Sequence, residues 1–327
     1  GLKAKLAASL GGKSQTYNVG LTDPYFMDTK WTVGGDIYRT QRDFLNFTRR
    51  VTGGDVKAGY PLSDTLSTFW IYRYEDKKIF NLDHQLADAI KNNQVIAPET
   101  TSTTSSITAS LTRNTTDYRL DPTTGMVNNL SVEFAGLGGT NRFLRSIGNT
   151  QVFSPFKWGT VFSLRGELGY IDGLGKVVPI DERFYLGGIS TMRGYSGRTV
   201  SPYRLTSNTT TGPNGLPAPL NGIAPGHPIV TLDRAFIGGD TEAILNSEVT
   251  FPLLKEAGLK GVLFFDIGNA YDGISTIFSR MQASYGFGFR WASPMGPLRL
   301  EYGIPVNPRP GIDNASGKLE FSIGSFF

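Results

Sequence analysis

The chain of 327 residues contains no cysteine and only two histidines, His84 and His227. The first absence excludes a disulfide scaffold and any thiolate metal site. Both histidines fall in stretches read as loops, where solvated side chains are expected rather than catalytic ones. No apolar run approaches the roughly 18 to 20 residues that a membrane helix needs. The longest candidate, Gly261-Val262-Leu263-Phe264-Phe265, stops at Asp266. A Gly-x-Ser-x-Gly elbow, a phosphate loop and a His-Glu-x-x-His pair are also absent. There is no signal-peptide pattern at the start, and Gly1-Leu2-Lys3-Ala4 reads as the inside of a strand, so a mature chain or a fragment is expected. Charge is nearly balanced, 32 Lys+Arg against 28 Asp+Glu, and no basic cluster marks a nucleic-acid footprint. The reading is a non-enzyme with no cofactor, no metal and no nucleic-acid partner.

What is present is a composition unlike that of a soluble core. Only 39% of residues are hydrophobic, yet aromatics reach 12% and glycines number 40. A membrane barrel has this balance because only every second residue of a strand meets lipid. Alternation is cleanest near the C-terminus. Met281, Ala283, Tyr285, Phe287, Phe289 and Trp291 alternate with Gln282, Ser284, Gly286, Gly288 and Arg290. Leu298, Leu300, Tyr302 and Ile304 alternate with Arg299, Glu301 and Gly303, and Leu319, Phe321, Ile323, Ser325 and Phe327 with Glu320, Ser322 and Gly324. Period two with one apolar and one polar face describes a strand between two environments.

A soluble sandwich gives the same period, so three further features decide. Aromatics sit at strand ends (Tyr60, Phe156, Trp158, Phe251, Trp291), as interfacial girdles require. The polar face is rich in Gly, Ser and charges of both signs, which suits a wet lumen. Connections alternate in length. Short ones lie near Pro24, Pro61, Pro122 to Gly125, Pro155, Pro252 and Pro294 to Pro297; longer polar stretches lie near 40–50, 75–104, 136–142, 172–242, 271–280 and 306–317. The expected fold is therefore all-β, a transmembrane antiparallel up-and-down barrel occupying 1–327 as one domain. About 14 strands are expected, starting near 3, 15, 30, 50, 65, 106, 127, 143, 158, 243, 260, 281, 298 and 318. The loop of about 172–242 is expected to be extracellular and to fold partly into the lumen.

Three charges form the informative constellation. Gly187-Gly188-Ile189-Ser190-Thr191-Met192-Arg193-Gly194-Tyr195 lies near the start of the longest loop. Alternation puts Glu248 and Asp266 on the polar faces of the next two strands. An arginine flanked by glycines can ride a tight hairpin into the lumen, where its planar fork can meet both carboxylates. A loop arginine in water, beside the mixed charges that any lumen carries, gives the same spacing.

The loop motif occurs in one order with Ser247-Glu248-Val249-Thr250-Phe251-Pro252, Phe264-Phe265-Asp266-Ile267-Gly268, Ser293-Pro294-Met295-Gly296-Pro297-Leu298 and a Phe-terminated last strand. Thr22-Asp23-Pro24-Tyr25-Phe26 and Asp121-Pro122-Thr123-Thr124-Gly125 precede them. Together these resemble the barrel of the BamA family, the outer-membrane barrel-assembly proteins, over essentially the whole chain. The resemblance implies a complete barrel of sixteen strands behind periplasmic POTRA domains. The first match sits at the family's third strand, so about two strands and the periplasmic arm are expected outside this sequence.

The resemblance further implies a role in folding and inserting β-barrel clients into the outer membrane through a lateral seam between first and last strands. It implies unfolded barrel clients, accessory assembly lipoproteins, the lipid bilayer and lipopolysaccharide as partners. By the same resemblance, Gly187, Gly188, Arg193, Gly194 and Tyr195 anchor the loop, and Glu248 and Asp266 are the lumen partners of Arg193. Phe321, Ile323, Gly324 and Phe327 then form the seam and the C-terminal signal. A two-partner-secretion or TamA-like translocator of the same superfamily stays open as an alternative. A passive porin is a further one, although it has no need of the Arg-Gly-Tyr loop.

Overall fold

A computed structural model of the chain describes residues 1–44, 47–83, 86–87, 90, 101–209, 230–293 and 296–323. Fourteen antiparallel strands form one sheet. They are β1 (Lys3–Gly11), β2 (Ser14–Asp23), β3 (Thr32–Asp43), β4 (Thr48–Pro61), β5 (Leu66–Phe80), β6 (Thr101–Asn114), β7 (Gly125–Gly139), β8 (Phe143–Pro155) and β9 (Val161–Asp172). After the long loop come β12 (Thr241–Leu254), β13 (Leu259–Tyr271), β14 (Gln282–Ser293), β15 (Gly296–Pro305) and β16 (Lys318–Ile323). Each strand pairs with its neighbour in sequence, and β12 pairs with β9 across the long loop. A separate two-stranded hairpin, β10 (Tyr203–Thr209) with β11 (Val230–Phe236), lies within that loop.

Alternation in the sequence becomes a division between two faces. On β14, Tyr285 and Phe287 are about half exposed (51% and 52%), whereas Ser284 and Arg290 are buried. The outward face carries the large apolar residues and the inward one carries charge, the reverse of a soluble sheet and the arrangement a lipid-facing barrel requires. Strand ends fall into two sets. Tyr60, Phe156, Trp158, Phe251 and Trp291 all lie at the end holding the 62–65, 156–160, 255–258 and 294–295 connections. There Trp31 packs on Tyr60 with ring centroids 4.9 Å apart, and the Trp291 indole donates to the Ala257 carbonyl at 2.9 Å.

Strand starts agree with the alternation to within a few residues, but the connections differ. The stretches 40–50 and 136–142 are not long loops: β3 runs to Asp43 with β4 starting at Thr48, and β7 runs to Gly139 with β8 starting at Phe143. Residues 75–80 belong to β5. In β3, β4 and β5 polar inner-face residues mimic loop composition, and at the end of β7 the glycines do. Conversely, the connection around Asp121–Gly125 spans 115–124 and is organised by Asp117, whose carboxylate accepts from the Thr123 and Thr124 amides and the Thr123 hydroxyl. These bonds favour the ionised form and hold its pKa well below the usual carboxylate range.

Candidate functional site

The long loop enters the interior as a narrow hairpin. Leu186 and Val200 exchange backbone hydrogen bonds at 3.1 and 3.0 Å, and the Gly188 amide donates to the Met192 and Tyr195 carbonyls. The Gly187 amide donates to the Thr191 hydroxyl at 2.9 Å. Leu186, Met192, Tyr195 and Val200 are fully buried and pack with Phe143, Ile171, Ile244 and Ala270 on the wall. The loop therefore meets an apolar patch of the inner wall with an apolar layer of its own, and this shared layer fixes its depth.

At its tip, Arg193 reaches the middle of three strands. Its Nε and Nη2 grip the Asp266 carboxylate at 2.7 and 2.5 Å. Nη1 donates to Glu248 at 2.5 Å and to Glu301 at 2.9 Å. The Arg193 amide also donates to Asp266, at 3.1 Å, and the guanidinium stacks 3.6 Å from the Phe264 ring centroid. Arg290 bridges Glu301 and Glu248 at 2.9 and 2.7 Å, and Arg299 donates twice to Glu301. Three arginines thus meet three carboxylates, with net charge zero, at 3% exposure for Arg193 and 0% for Asp266 and Glu301. Such a buried set is sustained only by this saturation of charge-assisted bonds.

The glycines and the tyrosine have separate tasks. Gly194 (φ +86°) passes so close to β15 that a Cβ there would lie 2.7 Å from the Gly303 carbonyl carbon. The Tyr195 hydroxyl donates to the Ala283 carbonyl at 2.8 Å. Beside the tip, Asn246 donates to the Thr191 carbonyl and to Asp266. A cavity of about 380 Å³ opens below, lined in part by Gln151, Arg165, Arg193, Glu248 and Arg299.

Of the residues marked in the sequence, Arg193, Glu248 and Asp266 come together in one cluster. Glu301, Arg290 and Arg299 join them without having been singled out. Alternation places all three on inner faces, but nothing in the spacing brings β15 next to Arg193. Phe321 and Ile323 lie elsewhere, on the outward face of β16, at 59% and 61% exposure. Gly324, Phe327, His84 and His227 lie outside the described residues. Pairing among the described residues runs from β1 to β16, and β16 pairs with β15 from Leu298↔Ile323 to Gly303↔Lys318.

Comparison with known proteins agrees with this architecture. The chain is 31% identical over its full length to the outer membrane protein assembly factor BamA of Nitratidesulfovibrio vulgaris, of which it spans 38%. It is 23% identical, again over its full length, to the protein of the same name from Neisseria meningitidis serogroup B, of which it spans 43%. It therefore covers less than half the length of these relatives. The fold is similar to the crystal structure of BamA from Haemophilus ducreyi lacking POTRA domains 1-3. That likeness has a TM-score of 0.77 at 21% identity and covers 99% of this chain and 64% of that one. The Omp85 superfamily domain matches residues 1–327. The chain belongs to the Omp85 superfamily.

Proposed function

We propose that the chain is the membrane barrel of an outer-membrane protein assembly factor, which folds and inserts β-barrel clients. The end-to-end likeness, at 31% identity, to a protein named as such a factor carries this reading. In physical terms the activity is strand addition. The outer edge of β16 offers backbone N–H and C=O groups that template an incoming strand, and the bilayer thins beside a short, weakly paired seam. Phe321 and Ile323 present the seam's apolar face to lipid. The long loop faces the cell exterior, and its tip at Arg193 keeps the inner wall of β12, β13 and β15 rigid behind the seam. Partners on this reading are unfolded barrel clients, accessory assembly lipoproteins, lipopolysaccharide and the surrounding lipid.

The test is reconstitution of the full-length protein in liposomes, with a small urea-denatured outer-membrane barrel as client. Protease-protected client should accumulate faster than in liposomes carrying an unrelated porin. Equal rates would remove the assembly reading.

A further inference from the structure

We propose that Asp181 and Glu182 form a second anchor of the long loop, at the rim of the barrel, which positions Arg193 and keeps the lumen closed. The proposal deepens the loop-anchoring reading above, and its test needs no client.

Asp181 lies 3.3 Å from the Arg49 guanidinium and 3.5 Å from the Lys77 ammonium. Glu182 pairs with Lys77 and accepts from Arg145 at 2.9 Å. Lys77 and Glu182 are buried, and the Asp181 side chain is 1% exposed. Just before them, Ile180 packs among Phe47, Ile79 and Leu86. Just after, the Tyr185 hydroxyl donates back to the Ile180 carbonyl at 2.9 Å, and Arg198 stacks 3.4 Å over the Tyr185 ring. Arg49, Lys77 and Arg145 sit near the long-loop ends of β4, β5 and β8. Glu248, Asp266 and Glu301 lie at mid-length on β12, β13 and β15. The two anchors therefore use different arcs of the sheet and different depths.

Charge shows that both arcs are shaped for the loop. At the rim, the wall's connected ion pairs set Arg49, Arg73, Lys77 and Arg145 against Glu75 and Glu133, four positive less two negative, leaving +2. The loop supplies Asp181 and Glu182 against its own Arg198, which stacks on Phe44 and Tyr185 beside them, a net −1 that offsets part of this excess. At mid-depth the wall sets Glu248, Asp266 and Glu301 against Arg290 and Arg299, three negative less two positive, leaving −1. The loop supplies Arg193, +1. Each arc carries an excess charge that the seated loop offsets, most strongly at the buried Lys77, Asp266 and Glu301. A segment tied to both arcs stands across the lumen, so passage of ions or of a polypeptide requires both ties to release.

The test is single-channel recording of the full-length protein in planar bilayers, with KCl as the conducting probe. Glu182→Lys and Lys77→Glu should each raise the fraction of time spent open by about tenfold or more, the scale of one lost charged hydrogen bond. The double variant Lys77→Glu/Glu182→Lys should recover part of the change, since the 77–182 pair is restored while Asp181, Glu75 and Arg145 then face like charges; a merely destabilising pair would recover none. Heat-modifiable gel mobility checks folding; where Glu182→Lys does not fold, the isosteric Glu182→Gln decides, with a smaller rise expected. Unaltered gating in the folded variants, or a double variant no better than the singles, overturns the second anchor. Normal gating effects alongside absent client folding would instead overturn only the assembly reading.

Discussion

Gly194 and Gly303 meet backbone to backbone: a Cβ on Gly303 would lie 2.5 Å from the Gly194 nitrogen. This contact lets the loop tip lie flat on β15 and sets the depth at which Arg193 finds its carboxylates. Gly303→Ala should push the tip outward and cost about 1 to 3 kcal/mol, the range for overpacking. Limited proteolysis of residues 173–240 from the long-loop side should show faster nicking, and Gly194→Ala should be at least as sensitive because its φ is positive as well.

Glu301 accepts from three arginines and Glu248 from two. Either change removes one negative charge, but losing the more connected carboxylate leaves more buried guanidinium donors without an ionised acceptor. Glu301→Gln should therefore cost about 3 kcal/mol or more where burial is deep, and more than Glu248→Gln. Thermal unfolding followed by gel mobility ranks the two, and the opposite order would contradict the assigned connectivity.

The absence of cysteine makes single-site labelling clean. A spin label at Phe287 should be quenched by lipid-soluble oxygen, and one at Gln151, on the cavity wall, by aqueous nickel chelate. The reverse pattern would mean a one-residue slip, which exchanges the two faces of a strand.

Burial pushes the Asp181 carboxyl up, but the Lys77 ammonium and Arg49 guanidinium pull it down further, so it lies below its ordinary value of 3.8. A depressed carboxylate contributes stability that is fully present above its unfolded pKa and lost as pH falls through the folded one. Channel opening should be flat from pH 8 to 5 and rise only below 3.8. Asp181→Asn should open more often throughout and show a smaller acid increment. A rise already complete at pH 5 would point to another group.

The strands were legible because a lipid-facing sheet writes its two environments into alternate residues; Phe143 and Lys318 open β8 and β16 at the expected positions. Loop lengths were less legible. Glu75 to Lys78 look like a polar connection, yet Glu75 and Lys77 are inner-wall residues of β5. In the β10–β11 hairpin, β10 was hidden because its Ser, Thr and Asn residues are common to loops. At the site, Arg193 could be linked to Glu248 and Asp266 through family motifs. Its bond to Glu301 spans 108 positions and depends on how the sheet curls. Asp181 and Glu182 lacked any spacing signal, since their partners lie on three strands that only the folded chain brings together.

If the proposed assembly role holds, seating of Arg193 should support it. The level of folded client is read in cells whose own copy is depleted and replaced by full-length variants. Arg193→Glu puts a fourth carboxylate into the cluster, and client levels should fall to a small fraction of those with the unaltered protein. Arg193→Glu combined with Asp266→Arg should recover part of the loss, because the pair is restored with its signs exchanged. Client levels with Arg193→Glu equal to those of the unaltered protein would mean that the buried cluster has no part in assembly.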